Sequence, residues 1–268
     1  MELHIGTSGF SFPGWRAQVY PHSLKPARMF DYYCRGFGFD CVELNSSFYH
    51  LPMAKCMTSL ARRSPERFSF MVKLYQAFTH NLAEATPEAF LHFRRGIAPL
   101  LDSGKLEGLL AQFPPGFRPS DDSHEWLLYL REWFAPIPLF MEFRHRDWTA
   151  QDNLTFLQQE GLGYCIVDLP PVPPLPPFLP RVTNGVGYLR LHGRNRKWYR
   201  PQTSRYDYHY RDRELRSLLT TLRGISPPPS HIFIFFNNCH AGAAVRSAKR
   251  FRELAAGQAS PSLYGLHH

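Results

Sequence analysis

Eight short apolar runs, distributed over the whole chain, constrain the fold more than any other feature of this sequence. They occupy residues 3–7, 41–45, 68–73, 106–112, 139–144, 163–168, 186–192 and 231–237, and they begin 23 to 45 residues apart. Several runs, such as residues 232–236, are apolar at every position, which is typical of parallel strands that are covered on both faces. The runs therefore predict a buried, parallel, eight-stranded sheet.

Helical signals fill most of the intervals between these runs. Pro87 after Thr86 and the capping sequence at residues 120–123 each indicate the start of a helix, and further helices are expected at residues 149–160, 212–222 and 241–254. One strand–helix unit needs about 30 residues. Eight such units in 268 residues predict an α/β fold, the (β/α)8 TIM barrel, as a single domain over residues 1–268.

Two regions test this interpretation. An open doubly wound sheet is the alternative fold, but the first turn, at residues 6–10, does not lead straight into a helix as a dinucleotide-binding turn would. Residues 170–180 contain seven prolines and no helical pattern. We therefore expect an irregular sixth unit with an extended, proline-rich crossover.

Polar and charged side chains gather at the carboxyl-terminal ends of the predicted strands. They are Thr7, Ser8, Glu43, Asn45, Lys73, Gln112, Glu142, Arg144, His145, Asp168, Arg190, His192, Arg194, Asn237 and Asn238. Because side chains alternate along a strand, three sets each share one face: Glu43 with Asn45, Glu142 with Arg144, and Arg190 with His192 and Arg194. We expect these sets to point into the barrel mouth, where the active sites of such barrels lie.

Anion binding is the first chemistry that these residues suit. Guanidinium forks match the geometry of phosphate and carboxylate groups. The predicted anion-binding set is Lys73, Arg144, Arg190, Arg194, His192, Asn45, Asn237 and Asn238. A helix that begins near residue 241 would also favour a phosphate at its amino terminus. Alternatively, the two asparagines cap that helix and Gly242 permits close packing.

Acid/base catalysis is the second chemistry. The carboxyl groups of Glu43, Glu142 and Asp168, together with His145, are candidates for the general acid and base, and two neighbouring carboxylates would raise one pKa. The same acids with His145 and His192 also suit a divalent metal. The nearby charges of Arg144 and Arg190 would oppose a cation, and the sequence has no short metal-binding motif. We therefore predict no cofactor and no metal ligand.

The positive charge of the chain is concentrated in one segment. The chain has 31 Lys and Arg residues against 22 Asp and Glu residues, a formal charge of +9. Eight of the basic residues lie in residues 190–213, interleaved with Trp198, Tyr206 and other aromatic residues. Such a loop can bind the phosphates and stack on the bases of a nucleic acid. The same loop would equally serve as a lid over a small phosphorylated substrate.

Three features of the sequence predict a cytoplasmic protein without a membrane partner. No run of about 18 apolar residues is present, and the first residues lack the basic and then apolar pattern of a secretory signal. The five cysteines form no C-x-x-C pair, as expected of reduced thiols. The oligomeric state is left open.

A set of motifs along the chain resembles the YecE-like family, known as domain of unknown function 72. The motifs are residues 5–10 with Trp15 and 20–21, residues 42–49, Lys73 with 79–80, residues 112–115, residues 142–145 with Trp148, residues 190–194, residues 206–208, and residues 236–238 with Gly242. The resemblance covers essentially the whole chain. It implies a TIM-type barrel and no settled reaction. Cys239-His240 and the proline-rich segment depart from the family pattern, and they concern the rim of the barrel.

Two functions are consistent with these observations. The first is an enzyme that acts on a phosphate-bearing substrate by acid/base chemistry, with hydrolysis of a phosphoester or glycosidic bond favoured. The second is a non-catalytic nucleic-acid-binding protein that uses the basic and aromatic loop at residues 190–213. The three carboxylates favour the enzyme, because a pure phosphate-binding site gains nothing from acidic residues.

Overall fold

Eight parallel strands form one sheet in a computed structural model that describes residues 1–200 and 205–257. The strands are β1 (Glu2–Thr7), β2 (Cys41–Leu44), β3 (Ser69–Lys73), β4 (Leu106–Gln112), β5 (Leu139–Glu142), β6 (Gly163–Asp168), β7 (Gly187–Leu191) and β8 (His231–Phe236). Their order in the sheet is β1-β8-β7-β6-β5-β4-β3-β2. The sheet curves into a nearly closed barrel, which confirms the predicted (β/α)8 architecture.

Helices alternate with the strands. They are α1 (Met29–Gly36), α2 (Ser46–Tyr49), α3 (Ala54–Arg63), α4 (Pro87–Asp102), α5 (Asp121–Phe134), α6 (Gln151–Gln159), α7 (Asp212–Arg223) and α8 (Ala243–Ala255). Thr86 caps α4 by accepting from the amide of Ala89 at 3.3 Å, and Ser120 and Ser123 form a capping box on α5. The predicted caps are therefore confirmed. No helix or strand lies between β6 and β7, so the irregular sixth unit is confirmed as well.

The last helix begins two residues later than the sequence predicts. Ala241 and Gly242 have φ angles of 45° and 75°, so they cannot belong to a regular helix. Gly242 is required here for a second reason, because a Cβ at this position would lie 2.6 Å from Val19 Cγ1. The close packing that the sequence suggests for Gly242 is therefore present.

A tyrosine closes the seam between β1 and β2, where the ladder is reduced to a single bridge between Ser8 and Glu43. The Tyr33 hydroxyl accepts from the amide of Thr7 at 2.9 Å and donates to the carbonyl of Cys41 at 3.0 Å. Gly6 allows the strands to approach, because a Cβ there would lie 2.2 Å from the Cys41 carbonyl oxygen. One phenol thus replaces the missing strand-to-strand hydrogen bonds.

The buried apolar side chains form two layers, one inside the barrel and one between the strands and the surrounding helices. Cys41, Met71, Phe140, Tyr188 and Phe233 belong to the inner cluster, whereas the alternate residues pack between the strands and the helices. Apolar side chains fill the interior of the barrel, and the polar side chains lie at the carboxyl-terminal ends of the strands. Within the residues that the structure describes, no helix is long and apolar enough to span a membrane.

Candidate functional site

Strand alternation places most of the predicted polar residues inside the barrel mouth. Val42 and Leu44 belong to the outer apolar layer, whereas Glu43 lies on the inner face with no exposed surface. The same alternation puts Glu142 and Arg190 on the inner face, and each of them is at most 2% exposed. Three strands therefore direct charged side chains at one another across the barrel.

Arg190 lies between two carboxylates at the floor of the mouth. It donates to Glu43 Oε1 at 2.7 Å from one terminal nitrogen and to Glu142 Oε2 from the other. The Tyr188 hydroxyl donates to Glu43 Oε2 at 2.6 Å, which occupies the second oxygen of that carboxylate. Two buried acids thus share one buried guanidinium. Such an arrangement is stable only when every charge has a partner.

Glu142 is held as an anion. Burial alone would raise the pKa of its carboxyl group, but the charges of Arg144 and Arg190 outweigh burial and hold that pKa well below its usual range. The Arg144 Nε donates to Glu142 Oε1 at 2.6 Å. The raised pKa that the sequence suggests for one of two neighbouring carboxylates is therefore absent at Glu142, because the arginines lie closer to the carboxylate than a second acid does.

His192 links this network to β8. Its Nδ1 lies 2.8 Å from the Asn237 amide nitrogen, and its Nε2 lies 3.2 Å from Glu142 Oε1. Burial and then the charge of Arg144 lower the pKa of His192 to about 3. The imidazole is therefore neutral, accepting from Asn237 at Nδ1 and donating from Nε2 toward Glu142.

Lys73 lies at the end of β3, next to the strand that carries Glu43, and it makes no ion pair with the described residues of this network. Its Nζ donates to Gln112 Oε1 at 2.8 Å and lies 3.9 Å from the centre of the Phe48 ring. Burial and then the charge of Arg190 lower the pKa of the Lys73 ammonium group to about 7. This amine therefore titrates near neutral pH, unlike an ordinary lysine.

Besides Arg190 Nε at the floor of the mouth, two polar atoms near Glu43 lack a partner among the described residues. They are Ser8 Oγ, on a residue with no exposed surface, and Asn45 Oδ1. Ser8 forms the bridge to Glu43 across the seam, and Asn45 follows β2 directly as the residue immediately before α2. Buried polar atoms are nearly always hydrogen-bonded in folded proteins. These two atoms are therefore available to a bound molecule.

Asp168 does not face the other carboxylates, and the expectation that it does is wrong. In the β6–β7 register Val167 pairs with Arg190 and Asp168 pairs with Leu191, which lies in the outer layer. The Asp168 carboxylate accepts from Arg194 Nε at 2.9 and 3.0 Å and from the Tyr210 hydroxyl at 2.6 Å. Burial raises the pKa of Asp168 in spite of Arg194.

Arg194 is likewise outside the mouth. β7 ends at Leu191, and Gly193, with a φ of 91°, turns the chain so that the alternation no longer applies. Arg194 then pairs with Asp168 and, at 3.4 Å, with Glu214 at the start of α7. This rim network fastens the loop after β7 to β6 and α7.

Two further predicted site residues have contacts outside the mouth. His145 accepts from the amide of Asp147 at 3.3 Å and caps a short 3-10 turn. The Asn238 side chain donates to the carbonyl of Tyr208 at 2.8 Å and to Ser247 Oγ at 3.3 Å, so it ties the loop after β7 to α8. Because of these contacts, the side chains of His145 and Asn238 do not take part in the charged network of the mouth.

Trp198 and Tyr206 of the loop after β7 turn inward, whereas Tyr199 of the same loop is 50% exposed. Trp198 is 2% exposed, its ring lies 5.8 Å from Arg144 Cζ, and Tyr206 packs near His192 with ring centres 6.2 Å apart. Arg196, Lys197, Arg200 and Arg205 are exposed on the other side. The loop therefore covers the mouth with Trp198 and Tyr206 and presents its charges to solvent. Residues 201–204 lie outside the described residues.

No group of three or more His, Cys, Asp or Glu side chains is arranged for a metal ion within residues 1–200 and 205–257. The acids that the sequence offers as ligands are occupied by arginine, namely Glu43 and Glu142 by Arg190 and Asp168 by Arg194. The residues present thus do not form the divalent metal site that the sequence left as an alternative.

Comparison with known proteins places the chain in a family. The model of "Protein of unknown function DUF72" matches residues 4–264. The chain belongs to this family. It is 29% identical over 272 residues to the UPF0759 protein YunF of Bacillus subtilis strain 168, covering 94% of each chain. This confirms the resemblance that the sequence motifs show.

Solved structures of the same family share the fold. A DUF72 family protein from Thermotoga maritima MSB8 is 36% identical, with a TM-score of 0.88 and coverage of 96% of this chain and 100% of that chain. A DUF72 family protein from Enterococcus faecalis V583 is 24% identical, with a TM-score of 0.84 and 95% of each chain covered. The second likeness concerns the fold alone, and the family description names no reaction.

Several residues of this DUF72 site are not among the sequence-predicted ones. Tyr188 hydrogen-bonds Glu43, and Phe48 and His80 flank Lys73. Tyr188 has a recognisable signal, because it shares its strand face with Arg190 and His192. Phe48 and His80 come from segments that follow strands, and strand alternation says nothing about where such residues point.

Proposed function

We propose that this DUF72 protein is an acid/base enzyme that acts on a small anionic substrate in the barrel mouth, with Lys73 as the group that transfers the proton. The observation that carries the proposal is the environment of Lys73, a half-buried amine that is hydrogen-bonded to Gln112 and lies within the electrostatic influence of Arg190 and Arg144. An acid or base works best when its pKa lies near the working pH. With a pKa of about 7, Lys73 meets that requirement.

The carboxylates fit this role less well than the sequence suggests. Glu142 accepts from Arg144, Arg190 and His192, and Glu43 accepts from Arg190 and Tyr188. A carboxylate that is held ionised by arginines is a poor proton donor. We therefore assign Glu43 and Glu142 to positioning Arg190 and Arg144 rather than to moving protons.

Anion binding is supported by the residues that surround Lys73. Arg144 reaches the mouth from the end of β5 beside the Trp198 ring, and Ser8 Oγ is buried without a partner among the described residues. A phosphate group would gain charged hydrogen bonds from Arg144 and from protonated Lys73, and a further one from Ser8. Hydrolysis of a phosphoester or glycosidic bond remains the reaction we favour, with the Lys73 ammonium donating a proton to the leaving oxygen.

Nucleic acid is the second candidate, and one observation favours it. Arg196, Lys197, Arg200 and Arg205 are exposed beside the mouth, where they suit a phosphate backbone. Of the aromatic side chains that would stack on bases, Tyr199 is exposed, but Trp198 and Tyr206 are packed near Arg144 and His192. The geometry thus supports a lid over a small substrate better than a platform for stacked bases.

Thermal unfolding in the presence of candidate ligands tests the proposal. The ligands are inorganic phosphate, sugar phosphates and short single- and double-stranded oligonucleotides, and a ligand at 100 times its Kd adds about 2.7 kcal/mol of stability. We expect a small phosphate compound to raise the Tm of the wild-type protein and not that of Lys73→Met. Lys249→Met is the matched control, because Lys249 also lies over a ring, Phe37 at 4.6 Å, but far from the mouth on α8.

Two results would count against the proposal. A Tm increase with oligonucleotides alone, steeply reduced by salt, would favour nucleic acid binding. An equal Tm increase in wild type and Lys73→Met would remove Lys73 from the binding site.

A further inference from the structure

The hydrogen-bond geometry of Lys73 leaves its amine free to act on a carbon atom. The Gln112 side chain is oriented by its own amide nitrogen, which donates to the Phe113 carbonyl at 2.9 Å. Its Oε1 therefore faces Lys73 and accepts one N–H at 2.8 Å. A neutral amine that donates one N–H to an amide oxygen keeps its lone pair, and a carboxylate partner would instead stabilise the ammonium form.

One further contact restricts the position of Nζ, and another fixes the backbone of Lys73. The Phe48 ring lies 3.9 Å from Nζ. The end of β3 is fixed as well, because the Ser47 hydroxyl donates to the Lys73 carbonyl at 2.6 Å. Lysine is otherwise a flexible side chain with large rotamer freedom. Here its amine is held at one place in the mouth.

Charged groups from several elements act on this amine. They are Glu43 on β2, Glu142 on β5 with Arg144 after it, Arg190 on β7, and His80 in the segment after β3. Within this set the two carboxylates are already paired with the two arginines. Burial and then the charge of Lys73 lower the pKa of His80 to about 4, so His80 adds no positive charge at neutral pH. A proton on Lys73 would therefore add a positive charge for which this set offers no unpaired carboxylate, which favours the neutral amine.

We infer that Lys73 is a nucleophile that captures the carbonyl carbon of an anionic carbonyl compound as an imine. The inference rests on the proposed function, because the same mouth holds the anionic group, and it goes beyond proton transfer. A desolvated lysine next to other cations is the usual form of an imine-forming amine. In hydrolysis the Lys73 ammonium would donate its proton, whereas with a carbonyl substrate the lone pair of the neutral amine would bond to carbon.

The step balances without any oxidant or reductant. The Nζ lone pair attacks the carbonyl carbon, a C–N bond forms, and the carbonyl π electrons move to oxygen. A proton transfer from nitrogen to oxygen gives the neutral carbinolamine. The hydroxyl group then leaves with the second N–H proton as water, and the nitrogen lone pair completes the C=N bond. Arg144 is the neighbouring cation that would hold the carboxylate or phosphate of the substrate.

Reductive trapping tests the inference with a matched pair of probes. The full-length protein is incubated with glyceraldehyde 3-phosphate or with uncharged glyceraldehyde, treated with sodium borohydride, and analysed by peptide mass spectrometry. Borohydride reduces an imine to a stable secondary amine. We expect Lys73 to be labelled at least tenfold faster than Lys249 with the phosphorylated probe, with a half-maximal rate near pH 7, where the Lys73 amine titrates. The uncharged probe should lose most of this preference.

The controls separate this inference from the proposed function. Lys73→Arg keeps the charge and cannot form an imine, so its labelling should fall to the background of the other lysines while phosphate still raises its Tm. Labelling of Lys73 no faster than that of Lys249 would overturn the inference. If glyceraldehyde 3-phosphate also raises the wild-type Tm in that case, anion binding at the mouth stands and only the imine is excluded. If neither effect occurs, both proposals fall.

Discussion

Two networks of arginine and carboxylate occupy neighbouring strands at the carboxyl end of the barrel, one inside it and one at its rim. The inner network joins Arg190 to Glu43 and Glu142, whose side chains have no exposed surface. The rim network joins Arg194, with a 35% exposed side chain, to Asp168 and Glu214. The same residue types therefore serve in two environments only four positions apart on the chain.

The difference shows how far a site depends on strand direction rather than on composition. Inside the barrel the arginine is enclosed by low-dielectric walls, and each charge requires its partners. At the rim, water reaches Arg194 although its partner Asp168 is 2% exposed, and the network fixes the loop that covers the mouth. Only the inner network and Lys73 shape the cavity in which a substrate would lie.

The largest expected effect comes from removing the central charge of the inner network. Arg190→Met leaves Glu43 and Glu142 buried side by side without their shared guanidinium. We expect a loss of about 3–5 kcal/mol in the free energy of unfolding, because removing one partner leaves an uncompensated buried charge. Urea denaturation of purified protein measures this loss.

Arg194→Met is the matched change at the rim. Its side chain is partly exposed, so we expect a loss of no more than about 1 kcal/mol in the same experiment. Equal losses for the two variants would show that the two networks are not energetically different and would contradict the comparison.

An intermediate effect, between those of Arg190→Met and Arg194→Met, is expected from the carboxylate of the rim network. Asp168→Asn removes the charge that pairs with Arg194 and weakens the acceptor of the Tyr210 hydroxyl. We expect a loss of about 1–2 kcal/mol in stability, together with faster proteolysis between residues 193 and 211. Binding of phosphate compounds at the mouth should persist. A complete loss of that binding with an intact fold would return Asp168 to the site.

Strand periodicity explains why the fold and the inner network were predictable. Continuous apolar runs indicate buried parallel strands, and alternation puts Glu43 and Arg190 on the inner face once the barrel is assumed. Asp168 shows where this reasoning fails. It ends a run in which both faces are apolar, so nothing in residues 163–167 distinguishes the inner face from the outer one. Only the register with β7 decides it.

The backbone beyond a strand end is the second source of error. Arg194 has the same parity as Arg190, but Gly193 adopts a positive φ and sends the chain outward. Gly193 is needed there because a Cβ would lie 2.5 Å from the Tyr208 Cβ. Such a turn depends on the contact with Tyr208, which lies later in the same loop between β7 and α7. The low pKa of Lys73 is equally invisible in the sequence, since it follows from burial and from the charge of Arg190.

The central claim of this account is that the Lys73 amine titrates near pH 7, so that both its neutral and its protonated forms are present there, in a mouth built for an anion. Nuclear magnetic resonance of protein carrying 13C-labelled lysine, with the signal assigned by comparison with Lys73→Met, gives the titration of this one side chain directly. The account predicts a pKa of about 7 for Lys73, and an upward shift when inorganic phosphate binds beside it. A pKa within about one unit of the ordinary lysine value of 10.4 would contradict both the proton-transfer role and the imine.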